Sequence, residues 1–360
     1  MKELPAKRVT LQANNLAGYS RLEIIFRDRR IAVWGARLDT PLVAVKRKKL
    51  DGSMIEAKSL CKSYGVFKAV DELSFTVEAG QVLGFLGPNG AGKSTTMKML
   101  TGFLTPTSGT VLINGMDVVE NSVAARMNIG YLPEGAPSYG EMTVLQFLGF
   151  IARARLIAKA EVADSVEAVI EKLNLSEVRH QAIETLSKGF KRRVGLAQAI
   201  IHDPQILILD EPTDGLDPNQ KREVRGLIRA MAKDKIIIIS THILEEVQAV
   251  CNRVMIIAHG KLLADDSPQG LLARSRYHNA VSLVVESAEK VASTLSELPQ
   301  VARAEINEGE LTLFPAGDEG LFEAVTAAIS EHHWQVSALR LEAGRLDEVF
   351  HSITRGEDLA

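Results

Sequence analysis

The sequence predicts an α/β domain on a largely parallel sheet, followed by a smaller α+β module. Three observations carry that prediction. A glycine-rich loop sits between an apolar run and a helix-like run within residues 81–100. Strand-length apolar runs alternate with helical periods from Met54 to about Gly270, the pattern of an α/β domain. Beyond about Tyr277 the runs follow the order β-α-β-β-α-β.

At 360 residues the chain is long enough for two domains. A net charge of −3 argues against a nucleic-acid surface, so no nucleic acid is expected as a partner. Cys61 and Cys251 are far apart and lack metal spacing, which fits a reduced, cytosolic compartment. No run of about 18 apolar residues is present, so no membrane span is expected.

Residues 1–53 are basic and show no sustained helical or strand period; Lys7-Arg8, Arg29-Arg30 and Lys46-Arg47-Lys48-Lys49 stand out. They lack the apolar core of a signal peptide. The expectation is a basic, low-order N-terminal extension, read as upstream sequence ahead of a start at Met54. Met54 to Leu60 reads as an edge strand opening the first domain.

The loop itself is Gly87-Pro88-Asn89-Gly90-Ala91-Gly92-Lys93-Ser94-Thr95, the pattern G-x-x-x-x-G-K-[ST]. Gln81 to Leu86 reads as the buried strand before it, and Thr95 to Leu100 as the helix after it. Glycines let backbone N–H groups converge on phosphate oxygens, and the helix adds its positive end. Lys93 is placed to reach β- and γ-phosphates, and the Ser94 hydroxyl to ligate Mg²⁺.

Upstream, Tyr64 precedes Gly65. Its ring suits stacking on a purine, although a Tyr before a Gly is also an ordinary turn residue. Downstream, Gly102 to Gly109 is turn chemistry leading into a hairpin through Thr110 to Gly115. Ile129 to Leu132 reads as a strand ending in Pro133-Glu134. A helical region is expected from about Thr143 to Ser176, with Leu145, Leu148, Ile151 and Ala152 on one face. Leu186-Ser187-Lys188-Gly189-Phe190 then leads into another helix. Ser187 and Gly189 suit either an anion site at the helix start or a plain N-cap before a basic face.

Ile206 to Leu209 is a buried strand that delivers Asp210 and Glu211 to its C-terminal edge, where α/β sheets bind ligands. Asp210 suits a Mg²⁺ role, and Glu211 a base for the attacking water. Ile236 to Ile239 is a second such strand, running into Ser240-Thr241-His242. His242 is placed to contact a γ-phosphate.

Together these residues resemble the ATP-binding subunit of an ABC transporter, over about residues 55–270. Tyr64 matches the A-loop aromatic and residues 87–95 match Walker A. Leu186, Ser187 and Gly189 match the signature segment. Asp210 and Glu211 match Walker B and the catalytic glutamate, Asp217 the D-loop, and His242 the switch histidine. Two positions depart from the pattern. Glu134 stands where the family usually carries Gln, and Lys188 and Phe190 replace a Gly and the Gln of the signature. Both departures resemble the subgroup that energises ABC-2-type permeases.

The resemblance implies a P-loop NTPase of the ABC type, residues 54–275, with a helical subdomain at about 135–200. It implies an ATPase with ATP and Mg²⁺ as ligands and Lys93, Glu211 and His242 as catalytic residues. Ser94, Glu134 and Asp210 become the metal set. Residues 64, 87–95, 134, 187, 189 and 217 become the nucleotide contacts. The implied partners are a second copy of the chain and a separate integral-membrane permease, and the implied place is the cytoplasmic face of a bacterial inner membrane. Export is the direction by resemblance. The competing reading is a soluble ABC ATPase acting on ribosomes or DNA; such proteins usually carry two cassettes, and this chain has one P-loop.

Residues 276–360 are expected to form a ferredoxin-like accessory or dimerisation domain, closed by a helix from Arg345 to Ile353. His332 and His333 lack partners at metal spacing and read as surface residues.

Overall fold

A computed structural model describes residues 7–11, 22–27, 30–34, 54–136, 138–317 and 320–356. The chain falls into two compact units, Met1–Asp51 and Gly52–Ala360. In the first, where the sequence shows no sustained period, three short strands form an antiparallel sheet in the order β1-β2-β3. They are β1 (Lys7–Leu11), β2 (Leu22–Arg27) and β3 (Arg30–Trp34). The basic run at 46–49 lies outside the described residues.

The second unit opens with β4 (Met54–Tyr64) and β5 (Phe67–Glu78), then β6 (Val82–Leu86) and α1 (Lys93–Leu100). Next come β7 (Ser108–Ile113), β8 (Met116–Asp117), α2 (Ser122–Met127) and β9 (Ile129–Leu132). The helical region follows as α3 (Val144–Ala154), α4 (Val162–Lys172) and α5 (Lys188–Ile200). Then β10 (Ile206–Asp210), α6 (Pro218–Ala232), β11 (Ile236–Thr241), α7 (Leu244–Val250), β12 (Arg253–Ala258), β13 (Lys261–Asp266) and α8 (Pro268–Leu272) complete the α/β domain.

The central sheet has the order β13-β12-β6-β11-β10-β9. Its pairs are parallel except for β13 at one edge. The middle strands are buried on both faces, which explains their unbroken apolar sequences. The two-residue period then sorts their side chains. Leu207, Leu209, Ile237 and Ile239 join one core with the packed faces of α3, α4 and α5. Ile206, Ile208, Ile236 and Ile238 join the other, with Met97, Met99 and Leu100 of α1.

A second, antiparallel sheet of order β5-β4-β7-β8 closes that other face. This corrects the reading of Met54 to Leu60 as an edge strand, because β4 pairs with both β5 and β7. Its polar alternation reflects one solvated face, which an interior antiparallel strand can also have. The expected hairpin is present: Asn114 (φ 51) and Gly115 (φ 78) turn β7 into β8.

The region expected to be helical from Thr143 to Ser176 is two helices. Thr143 and Gln146 form a capping box that starts α3. The chain then leaves the helix at Leu156, which sits at φ 59. Among the described residues no helix is long and apolar enough to cross a membrane.

The C-terminal module runs β14 (His278–Val285), α9 (Ala288–Leu295), β15 (Val301–Asn307), β16 (Glu310–Pro315), α10 (Leu321–His332) and β17 (Val336–Ala343). Its sheet order is β15-β16-β14-β17, all antiparallel, as the β-α-β-β-α-β pattern predicts. The last helix, α11 (Leu346–Arg355), does not stay with this module. Leu346 and Val349 are buried in the core of the α/β domain, with Phe350 and Ile353 packed against it at helical spacing. Burying each of the first two contributes roughly 1.5–3 kcal/mol.

Candidate functional site

β6 ends at Leu86, and residues 87–92 wrap from it to the start of α1. Gly92 has φ 103, and a Cβ there would stand 2.4 Å from the Ala69 carbonyl oxygen. Only glycine fits both the left-handed backbone and that close approach. The Lys93 side chain folds back over the loop, its Nζ donating to Gly87 O (2.7 Å) and Pro88 O (3.1 Å). Burial pushes its ammonium below its ordinary pKa, while Glu211, Asp210 and Glu134 oppose that shift.

A cavity of about 340 Å³ opens over this loop. Asn89, Gly90, Gly92, Lys93, Ser94 and Thr95 line its floor, with Glu134 and Glu211 also in the lining. Tyr64, half exposed at the end of β4, lines it together with Phe67. Of the residues the sequence assigned to the nucleotide, Gly87, Pro88 and Ala91 lie in the same loop but outside the lining.

The acids arrive by register. β10 and β11 are parallel neighbours with Asp210 opposite Ser240, so Glu211 and His242 emerge side by side. His242 Nδ1 lies 2.9 Å from Glu211 Oε1. Glu211 sits at φ 51, and its N–H donates to Ser240 O at 3.0 Å. Asp210 is fully buried. Its Oδ1 accepts from the hydroxyls of Ser240 and, at 3.3 Å, Ser94. Its Oδ2 is buried with no hydrogen-bond partner among the described residues. An orphaned carboxylate oxygen beside a Ser hydroxyl and a phosphate-binding loop is the donor chemistry that suits Mg²⁺ carried in with a nucleotide.

Ser187, Gly189 and Asp217, expected from the resemblance to contact nucleotide, form a separate cluster outside the cavity lining. Ser187 caps α5 by accepting from Phe190 N at 3.3 Å. Asp217 caps α6 by accepting from Asn219 N and Gln220 N, both at 2.9 Å. Lys188 forms an ion pair with Asp214 at 2.8 Å, and its methylenes lie across Gly215, where a Cβ would be 2.5 Å from Lys188 Cδ. A Cβ on Gly189 would be 2.7 Å from Gln220 Oε1. This tight packing joins the two segments.

Several residues in and around the site carry no role in the sequence reading. Phe67 lines the cavity and Ser240 holds Asp210. Buried Glu246 accepts from Thr213 and, at 3.0 Å, from Thr241, tying the loop after β10 to the end of β11. Arg192 and Arg193, read as part of a basic face, are instead buried. Arg192 donates to the backbone carbonyls of Pro133, Asp210 and Glu211. Its burial depresses its pKa, with Asp214, Asp210, Glu211 and Glu134 opposing. His332 and His333 are exposed, and among the described residues there is no His/Cys/Asp/Glu cluster able to hold a metal by itself.

A parallel sheet whose strand ends carry a phosphate loop, paired acids and a histidine defines a P-loop nucleotide-binding protein. Residues 70–214 match the family described as ABC transporter, and the chain belongs to that family. It is 40% identical over 224 residues to the Escherichia coli protein named "Probable multidrug ABC transporter ATP-binding protein YbhF". That match covers 62% of this chain and only 39% of the relative's length. It is 30% identical over 305 residues to the linearmycin resistance ATP-binding protein LnrL of Bacillus subtilis, covering 84% of this chain and 98% of that protein. A solved structure titled "Structure of ATP binding subunit of ABC transporter" superposes with a TM-score of 0.57 at 28% identity, over 61% of this chain and 91% of that one.

Proposed function

We propose that this chain is the ATP-binding and ATP-hydrolysing subunit of an ABC-type exporter, working with a separate ABC-2-type membrane permease. The observation that carries the reading is the Glu211–His242 contact beside the Lys93–Ser94 loop. Glu211 is placed to accept a proton from water as its oxygen attacks the γ-phosphorus. The bond from that phosphorus to the bridging oxygen breaks, and ADP leaves with the oxygen. His242 holds the carboxylate, and Lys93 turns from the loop carbonyls to the phosphate oxygens. Tyr64 offers its ring to the adenine. Ser94, Asp210 and Glu134 are the residues that would hold Mg²⁺, which supplies charge neutralisation at the β- and γ-oxygens when bound.

Ser187, Gly189 and Asp217 stand apart from the cavity, which supports their acting on the nucleotide of a second copy. A head-to-tail pair makes that contact twice around a two-fold axis. ATP then favours the closed pair because its γ-phosphate satisfies both faces, and hydrolysis releases it. For the permease, the reading rests on a cavity of about 400 Å³ lined by Phe103, Tyr131, Pro133, Ile151 and Arg155. It shares Glu134 with the nucleotide cavity, so an inserted permease segment would sense the site through that carboxylate. Residues 276–343 are assigned to the accessory module and the chain to the cytoplasmic face of the inner membrane. Export is proposed by resemblance, and a Rhizobium meliloti relative, 39% identical over 219 residues, is named "Nod factor export ATP-binding protein I".

The experiment is capture of tagged Glu211→Gln protein from detergent-solubilised membranes with ATP. A multi-span protein in stoichiometric amount is the expected companion. Ribosomes or DNA in its place, with no membrane protein, would favour the soluble alternative.

A further inference from the structure

We propose that Arg192 is a positioning residue for hydrolysis, fixing the backbone that carries the Glu211 carboxylate. The proposal rests on the ATPase reading above and deepens it. Arg192 lies one turn into α5 and is only 5% exposed. Two of its guanidinium nitrogens bind main chain: Nη2 donates to the carbonyls of both Asp210 and Glu211, and Nη1 to Pro133 O at 3.1 Å, while Nε is buried with no hydrogen-bond partner among the described residues. A rigid fork of donors suits this task, since acceptors on two separate segments must be held in one geometry.

Glu211 needs holding. Its φ of 51 is a conformation that a non-glycine residue keeps only when its surroundings over-determine it. Its N–H is tied to Ser240 on β11, and its carbonyl accepts from Asp214 N at 3.1 Å as well as from Arg192 on α5, so both sides of the residue are fixed. That attitude places its carboxylate against His242. The third acceptor, Pro133 O, immediately precedes Glu134. One guanidinium therefore couples α5, whose start carries Ser187 and Gly189, to both acids that line the nucleotide cavity.

The test compares wild type, Arg192→Met, Arg192→Lys, Glu211→Gln and Arg192→Met/Glu211→Gln. ATPase kcat and ADP affinity by calorimetry are measured for each. A misplaced carboxylate predicts a kcat loss of about 10- to 100-fold in Arg192→Met, with ADP Kd within about threefold of wild type. Arg192→Lys recovers part of the loss, because it keeps the charge without the fork. The double variant falls little below Glu211→Gln, since Arg192 acts through that carboxylate. If Arg192→Met does not fold, Arg192→Lys decides by the same readouts. Arginine variants with wild-type kcat, or losses that multiply in the double variant, overturn the proposal while a dead Glu211→Gln leaves the ATPase reading standing. A Glu211→Gln protein with wild-type turnover overturns the ATPase reading, and the proposal with it.

Discussion

Replacing Asp210 by Asn separates two roles that the buried carboxylate combines. Among the described residues, the Asp210 carboxylate is fully buried and hydrogen-bonded on one oxygen only. An unsatisfied buried acceptor costs about 1–3 kcal/mol, more when charged. Asparagine keeps the shape, removes the charge and retains an acceptor for Ser240 and Ser94, but its N–H groups inherit the partnerless position. The two effects oppose, so the nucleotide-free variant should lie within about 1 kcal/mol of wild type, a shift of about 2–4 °C in Tm or less. Ligand-bound stability should differ far more. At a concentration 100 times Kd, Mg-ATP contributes about 2.7 kcal/mol, hence about 5–10 °C. A tenfold loss of affinity at the same concentration would halve that to about 1.4 kcal/mol. The assay is thermal unfolding with ATP, with and without Mg²⁺. Wild type should gain a Mg²⁺-dependent increment that Asp210→Asn largely lacks, while metal-free ATP should shift both alike. An equal Mg²⁺-dependent increment in the two proteins would refute the assignment of Asp210.

Glu211→Gln should lower turnover by at least ~10²-fold with nucleotide affinity retained, checked by steady-state ATPase against calorimetry. Lys93→Ala should abolish measurable nucleotide binding; unchanged affinity would count against the phosphate role. The Asp214 carboxyl, held down chiefly by its hydrogen bond from Lys188, should titrate below its ordinary range. A depressed acid stabilises the fold above its unfolded pKa, and that contribution is lost as pH falls through the folded value. Lys188→Ala should move the Asp214 midpoint up in an NMR titration; the effect on stability should stay under about 1 kcal/mol because the pair is exposed. Leu346→Ala should cost about 2–5 kcal/mol in thermal melting, as a cavity in the cassette core would, and a loss under about 0.5 kcal/mol would contradict the packing of α11.

The parts of the site that were legible in the sequence are those whose geometry is local. The loop at 87–95 carries its own strand and helix, and Asp210-Glu211 and His242 each end an unmistakable buried strand. The pairing of Glu211 with His242 follows from two such strands being neighbours. Arg192 was not legible, because a basic run reads as solvated until its acceptors are known, and these are main-chain carbonyls at positions 133, 210 and 211. Glu246 was hidden for the same reason: its partners Thr213 and Thr241 come from other segments. The C-terminal module was legible in its order of elements, β-α-β-β-α-β, which β14, α9, β15, β16, α10 and β17 follow. The destination of α11 was not, since an amphipathic helix states that it needs a partner surface and not which one. Nor was the interior place of β4, whose neighbour β7 lies beyond the P-loop helix.

The central claim is that ATP is bound between two copies of this chain and hydrolysed through Glu211. Light scattering of purified Glu211→Gln protein tests it most directly. With Mg-ATP the mass should rise from that of one 39.2 kDa chain to twice that value, and ADP or added Lys93→Ala should not support the pair. A protein that stays monomeric in saturating Mg-ATP, or pairs equally well with ADP, would contradict the account.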